Sequence, residues 1–424
     1  MLPIAHWARI GLGVRGMKFF SLARLLWLVV AAALTGCFLG VVAGAGATSV
    51  DRPAPGVLIE YWNGASWTRQ PVSTPDGSGS LSAVATVSAT DAWALGWYGG
   101  TYGDGNGLAE HWDGASWQPV AMPAPSGTDV EVRLNSLAAI SADDVWAVGG
   151  WAAAGRFNGS YGTLIEHWDG SSWAIVPSPT PGYAAQLSAV AAVSAANVWA
   201  VGSLAHSSAA DISSSRTLVL HWNGTKWKQV PSPNPGHYLH PSTRLSGVAA
   251  VSPRSVWAVG TYSGRGATAT LTLHWNGLKW KRVPSPNLSG GNALMAVASV
   301  GRNDVWAVGG YGGGCGCKGG GLTRKPLAEH WNGHTWRIVP ARSGYPRSND
   351  QALTSLAVVA ADDIWTVGYH QNSTDLCYHG LVEHWDGSAW TPMPSQNPDS
   401  DHFSEIAAAS PAAVWAVGTS YVGC

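Results

Sequence analysis

Residues 163–173 read Thr-Leu-Ile-Glu-His-Trp-Asp-Gly-Ser-Ser-Trp. An aliphatic run enters, Asp-Gly reverses the chain, and a second tryptophan leaves. Asn-Gly or Asp-Gly between apolar runs is a strong hairpin signal, because a type I′ turn needs positive φ at both central residues. The unit recurs seven times, on Trp62/Trp67, Trp112/Trp117, Trp168/Trp173, Trp222/Trp227, Trp275/Trp280, Trp331/Trp336 and Trp385/Trp390. A second unit alternates with it. Residues 187–202 read LSAVAAVSAANVWAVG: a small-residue strand, a short turn, then a strand around another tryptophan. Its seven copies centre on Trp93, Trp146, Trp199, Trp257, Trp306, Trp365 and Trp415. Val, Ile and Ala bounded by Ser, Asp, Asn and Gly mark both halves as strands.

With strands A and B in the second unit and C and D in the first, the period is about 50 residues, as in propeller blades. The repeat begins with a C–D pair at 58–74 and ends with an A–B pair at 403–421. The expected fold is therefore all-β: a seven-bladed β-propeller of four-stranded antiparallel blades. Pairing of the two terminal hairpins would complete the seventh blade and remove two open sheet edges. Strand A is narrow enough for the crowded axis, and the tryptophans fall on B, C and D, where blades spread apart.

The glycine after strand B, the aromatic before the C–D turn and the Trp in strand D resemble kelch-type propellers, including the galactose-oxidase-like group. The likeness spans 58–424. It implies a rigid ring with function carried on its loops. The copper ligands of galactose oxidase find no residue-by-residue match, and no cofactor or metal is expected.

The chain has 24 Lys and Arg against 25 Asp and Glu, with 12% charged residues. That balance excludes the basic footprint of a nucleic-acid binder, and 25 tryptophans exclude a disordered chain. Arg9, Arg15, Lys18 and Arg24 precede an uncharged run, with Ala45-Gly46-Ala47 as a cleavage site. Residues 1–47 thus read as a signal peptide or membrane anchor, with 25–47 long enough to span a bilayer and Cys37 in a lipobox-like setting. Residues 48–57 read as a linker, 58–424 as the propeller. The protein is expected outside the cytoplasm, secreted or tethered, and monomeric.

The A–B and C–D turns are short and uniform. The B–C loops differ in every blade and the D–A connections are proline-rich, so the B–C/D–A face is the expected binding face. Trp97, Tyr98, Trp151, Tyr262, Tyr311, Tyr369 and His370 follow the strand B glycines there. They are candidate stacking platforms for sugars or peptide side chains, or ordinary strand-end packing. The repeated histidines (His111, His167, His221, His274, His330, His384) and glutamates (Glu60, Glu110, Glu166, Glu329, Glu383) sit on separate blades and read as scaffold. Cys315, Cys317, Cys377 and Cys424 lie in neighbouring loops and read as two disulfides in an oxidising compartment; a metal site with His379 is the alternative. Lys226, Lys228, Lys279, Lys281 and Arg282 flank strand D tryptophans and read as edge protection. The sequence points to a non-catalytic module binding protein or glycan through the loop face. The alternative is an extracellular carbohydrate-active enzyme, hydrolase or oxidase, with a site at the axis. Asp104, Asp129, Glu131, Asp211, Asp350, Asp375 and Asp401 are its candidate acids.

Overall fold

The computed structural model describes residues 56–99, 105–125, 130–153, 161–182, 184–205, 214–236, 242–263, 267–313, 324–341, 350–372, 377–395 and 400–421. The proposed leader, residues 1–47, lies outside the described residues. Every described element is a β-strand. Twenty-eight strands make seven four-stranded antiparallel blades. Blade one runs Ser80–Ser88, Asp91–Tyr98, Asn106–Trp112 and Trp117–Val120. The seventh is shared: Ser400–Ser410 and Ala413–Tyr421 supply A and B, and Gly56–Trp62 and Trp67–Arg69 supply C and D. Its seam is Gly56↔Ser420 through Trp62↔Val414.

An open stack of seven sheets has six seams; a closed ring has seven. Seven separate hydrophobic clusters are present, one per seam. At each, the strand B Trp of one blade meets the strand D Trp of the next edge-on. Trp93–Trp173 and Trp415–Trp117 are two of the seven pairs; centroids lie 5.0–5.7 Å apart at 80–89°. Near the axis, bulge residues of strand A bond the next blade's strand A: Asn135 Nδ2 donates to Leu187 O (2.7 Å), Thr354 Oγ1 to Phe403 O (2.9 Å), and Ser82 Oγ to Leu134 O.

The tight turn is not where Asn-Gly or Asp-Gly placed it. Two-residue hairpins join A to B, as in Ser141↔Asp144, whereas the paired Trp bracket four residues. The reason is side-chain capping. Asp169 Oδ1 accepts hydrogen bonds from the N–H groups of Ser171 and Ser172, both at 2.9 Å. Asn223 does the same for Thr225 and Lys226, so either residue serves. Gly170 is still required: φ is +89°, and a Cβ would stand 2.8 Å from Asp143 Cβ in the A–B turn. The two turns therefore pack together, which leaves the B–C and D–A connections on the opposite face.

The strand B glycines have a different cause. Gly96, Gly149, Gly202, Gly260, Gly309, Gly368 and Gly418 have ordinary φ. The strand A bulge swings a carbonyl oxygen to 1.8–2.1 Å from where each Cβ would be. The obstacle is backbone, so no rotamer relieves it. Gly309→Ala is expected to destabilise the protein by about 3 kcal/mol or more in denaturant melts. Gly301→Ala, with no atom within 4 Å of the new methyl, should lie within about 0.5 kcal/mol of the parent. Equal effects would refute the bulge account.

Candidate functional site

The repeated polar residues form scaffold. Each of the six histidines lies over its own blade's strand B Trp, centroids 4.2–4.5 Å apart. Each holds Nε2 within 2.7–3.0 Å of Asp91, Asp144, Asn197, Ser255, Asp304 or Asp363. In the closing blade strand B begins with Ala413, which offers no such partner. Tyr61 takes the histidine's place, packs on Trp415 at 4.4 Å and donates its hydroxyl to Ala412 O at 3.2 Å.

Departures from the repeat converge on the loop face at blades five to seven. Strand A of blade seven carries Asp401, His402 and Phe403 near its start. The other blades have Leu where Phe403 stands. Gly380 makes room for the larger ring: a Cβ there would meet it at 2.6 Å. His402 is enclosed by three tyrosines. Tyr369 stacks on it at 5.4 Å and 15°, Tyr378 meets it edge-on at 4.9 Å, and Tyr421 lies 5.9 Å away. Burial, with His379 adding repulsion, lowers its pKa to about 4, so this imidazole is neutral near pH 7. His370 and His379 stack across strands B and C at 5.4 Å.

Arg324, from blade five, ties this cluster to Asp350. Arg324 N donates to Asp350 Oδ1 at 3.1 Å, and its guanidinium reaches Tyr369 Oη at 3.4 Å. Tyr378 hydrogen-bonds Asp350 as well. Burial raises the Asp350 pKa, while Arg324 and these hydrogen bonds oppose the rise. Arg69 Nη1 lies 3.8 Å from buried Asp401. Aromatic faces, a neutral imidazole, the buried Asp350 carboxylate and the Arg324 guanidinium so meet at one place, a combination suited to stacking on and hydrogen-bonding a polar ligand.

Of the candidate platforms, Tyr369 and His370 belong to this cluster and are buried. The rest are half-buried and separate. Tyr98, Trp151, Tyr262 and Tyr311 pack against four different seam cores. Trp151 lies across Gly162, whose Cβ position is 2.2 Å from the indole nitrogen. Tyr262 receives a 2.6 Å hydrogen bond from Arg282, whose guanidinium also covers its ring at 4.5 Å. Trp97 stands half-buried at the end of its strand. Of the acids, Asp350 joins the cluster, Asp401 is buried beside Arg69, and Glu131 lies in strand A of blade two; Asp104, Asp129, Asp211 and Asp375 lie outside the described residues. So do Cys315, Cys317 and Cys424. Cys377 is 3% exposed and disulfide-bonded.

Sequence reasoning passed over Tyr378, Tyr421, His402 and Glu405. His402 sits in a register position held elsewhere by Ser80, Arg133, Gln186, Arg244, Ala293 and Ala352; this irregularity was the signal. Glu405 faces the next blade, where the other blades have Ala83, Ser136, Ala189, Gly247, Ala296 and Ser355. Its Oε2 accepts Val84 N–H at 2.9 Å across the closing seam. Burial raises its pKa to about 8.

No family model and no curated protein matches the chain. Many solved structures are similar to it, among them the following two. YCF48 from Cyanidioschyzon merolae has a TM-score of 0.50 and 13% identity, covering 84% of this chain and 98% of that one. A polysaccharide lyase, the PL25 ulvan lyase bound to -[GlcA(1-4)Rha3S]-, has a TM-score of 0.50 and 12% identity, covering 79% and 90%. At these identities the likeness is one of fold. It supports the propeller and carries the kelch-type resemblance no further than that.

The scaffold glutamates have a titration of their own. Glu166, Glu329 and Glu383 are wholly buried, and burial alone raises each pKa to about 8; Glu110 rises to about 7. With Glu405 they stay protonated in the folded chain where the unfolded chain, near 4.5, has ionised. Their stabilisation is complete below about pH 4.5 and is lost as pH rises towards 8. His402, His221 and His274, with lowered pKa values, act in the opposite direction below about pH 6.5. The net fall should be steepest between about pH 6.5 and 8. Scanning calorimetry should find Tm lower at pH 8.5 than at 6.5. Glu166→Leu, copying Leu220 and Leu273 of blades three and four, should gain about 1–3 kcal/mol at pH 8.5 and flatten the profile. A loss of stability at pH 8.5 in this variant would refute the account.

Proposed function

We propose that this chain is an exported or surface-tethered propeller, a monomeric and non-catalytic module that binds glycan through its loop face. The carrying observation is the Tyr369–Tyr378–His402–Tyr421 cluster with its Arg324–Asp350 pair. On the turn face the seven blades share one C–D turn geometry. On the loop face, aromatic and hydrogen-bonding groups from three blades gather and break the repeat. Tyrosine rings present apolar faces for sugar C–H groups, and Arg and Asp fix orientation through directional hydrogen bonds. The disulfide at Cys377 supports an oxidising compartment. Cys315, Cys317 and Cys424 are its proposed framework partners, and residues 1–47 the proposed leader or anchor. The seven aromatics after the strand B glycines extend the proposed face around the ring.

A glycan array probed with the purified protein tests this reading. Binding should be selective among glycans and fall at least about tenfold in Tyr378→Ala and Tyr421→Ala, since single stacking anchors contribute about 1–3 kcal/mol. Both side chains are half-exposed, so Tm should change little. An array without hits, or hits indifferent to both substitutions, would overturn the glycan reading.

A further inference from the structure

Edge protection would call for a cation in every blade, because every blade ends in an exposed strand D. The positions flanking the strand D Trp are Ser116 and Gln118 in blade one, Ser172 and Ala174 in blade two, and Ala389 and Thr391 in blade six. Only blades three and four carry two lysines there, Lys226 and Lys228, then Lys279 and Lys281, all exposed. Arg254 and Arg302 extend the patch onto the turn face. Arg254 packs beneath the Gly277 turn that leads to Lys279, and Arg302 lies close enough to His274 to lower its pKa.

The same blades have lost their acids. Where strand B begins with Asp91, Asp144, Asp304 or Asp363 elsewhere, they have Asn197 and Ser255. Their C–D turns carry Asn223 and Asn276, as blades five and seven carry Asn332 and Asn63, in place of the Asp found at 113, 169 and 386. From Gly170 to Asn303 the chain has ten Lys and Arg and one acid, Asp211; the other 24 acids all lie outside that stretch. A chain of net charge -1 is thus strongly divided, with one basic sector in an acidic ring. Bulk charge cannot account for binding by such a molecule; the local field of the sector can.

We propose that the rim and turn face of blades three and four dock a linear polymer bearing regularly spaced anionic groups. The cations repeat from blade to blade, as a periodic ligand requires. The patch has little apolar surface of the kind that anchors a folded partner: among the described residues, Leu278 is the exposed large hydrophobic in these blades. The site is separate from the loop face and does not depend on the glycan reading.

Dextran sulfate, with neutral dextran as control, is a suitable probe in calorimetric or fluorescence titrations of the full protein. The wild type should bind dextran sulfate at about 50 mM NaCl and weaken at least about tenfold by about 300 mM, because surface charges are screened. The fourfold Lys226/Lys228/Lys279/Lys281→Gln variant should lose at least about tenfold in affinity with unchanged Tm. Asn223→Asp with Asn276→Asp restores acids that other blades accommodate, and should weaken binding too. Tyr378→Ala and Tyr421→Ala should leave it unchanged, which separates this site from the loop face. Absence of binding at low salt, insensitivity to salt, or full affinity in the fourfold variant would each overturn the proposal.

Discussion

The ring is held by tryptophan meeting tryptophan across each seam. The strand B indole of one blade packs against the strand C and strand D indoles of the next, all the way round. The arrangement has a cost. The strand D indole N–H groups, and five of the seven on strand B, are buried without a partner, Trp93, Trp146 and Trp173 among them. Leaving such a donor unsatisfied costs about 1–3 kcal/mol. Burying about 150–250 Å² of an aromatic side chain at about 25 cal/mol per Å² returns about 4–6 kcal/mol. Edge-on aromatic pairs add about 0.5–1.5 kcal/mol. Burial wins, so the seams tolerate polar atoms that a mixed core would exclude. On strand B, Trp365 donates its indole N–H to Asp363 at 2.9 Å. On strand C, Trp62, Trp168, Trp222 and Trp275 donate instead to the A–B turn, Trp168 to Ala142 O at 3.0 Å. That bond fastens turn to turn and keeps this face uniform.

Closure follows from the same constraint. A blade carries one half of a seam on each side, so an unclosed end would expose a row of indoles and a strand edge together. The chain avoids this by dividing one blade between its ends. The divided blade is also where the repeat bends most. Tyr61 stands for His, Phe403 for Leu and Glu405 for a small residue. Each compensates locally, through Ala412 O, Gly380 and Val84 N–H respectively. These residues give the closing blade a distinct inner wall and upper end, and His402 stands at that upper end. The clasp and the site are therefore built from the same irregular segment.

The architecture could be read directly from residues because periodicity and seam chemistry are both local signals. Two Trp bracketing Asp169-Gly170 mark strands C and D whatever lies around them. The turn type could not be read that way. Asp169 was given a tight two-residue turn, but its carboxylate caps a four-residue loop. The strand B glycines, Gly149 for instance, marked the end of a repeat unit without revealing their cause, a carbonyl displaced by a bulge on another strand. The site was legible in part. Tyr369 and His370 were reached through their position after Gly368. Tyr378, His402 and Tyr421 were not, because their meeting depends on how blade six approaches blade seven. Periodicity reveals what is repeated, whereas a site is assembled from what is not.

The acids make the same distinction. Glu166, Glu329 and Glu383 recur, face apolar seams and hold a proton near neutrality. They consequently add nothing to the surface field. Asp169 and Asp386, capped by serines, have pKa values lowered to about 2 and remain charged on the turn face. Leu220 and Leu273 thus alter the seams of blades three and four without changing charge, whereas Asn223 and Asn276 remove charge without altering the turn. The buried series, Leu for Glu, is confined to these two blades, whereas the exposed turn Asn occurs there and also as Asn63 and Asn332. The buried series needs no partner to explain it, since Leu fills an apolar seam at least as well as a protonated Glu. The exposed series has no such internal benefit, because Asp caps these turns as well as Asn does, and its consequence is a local field directed outward.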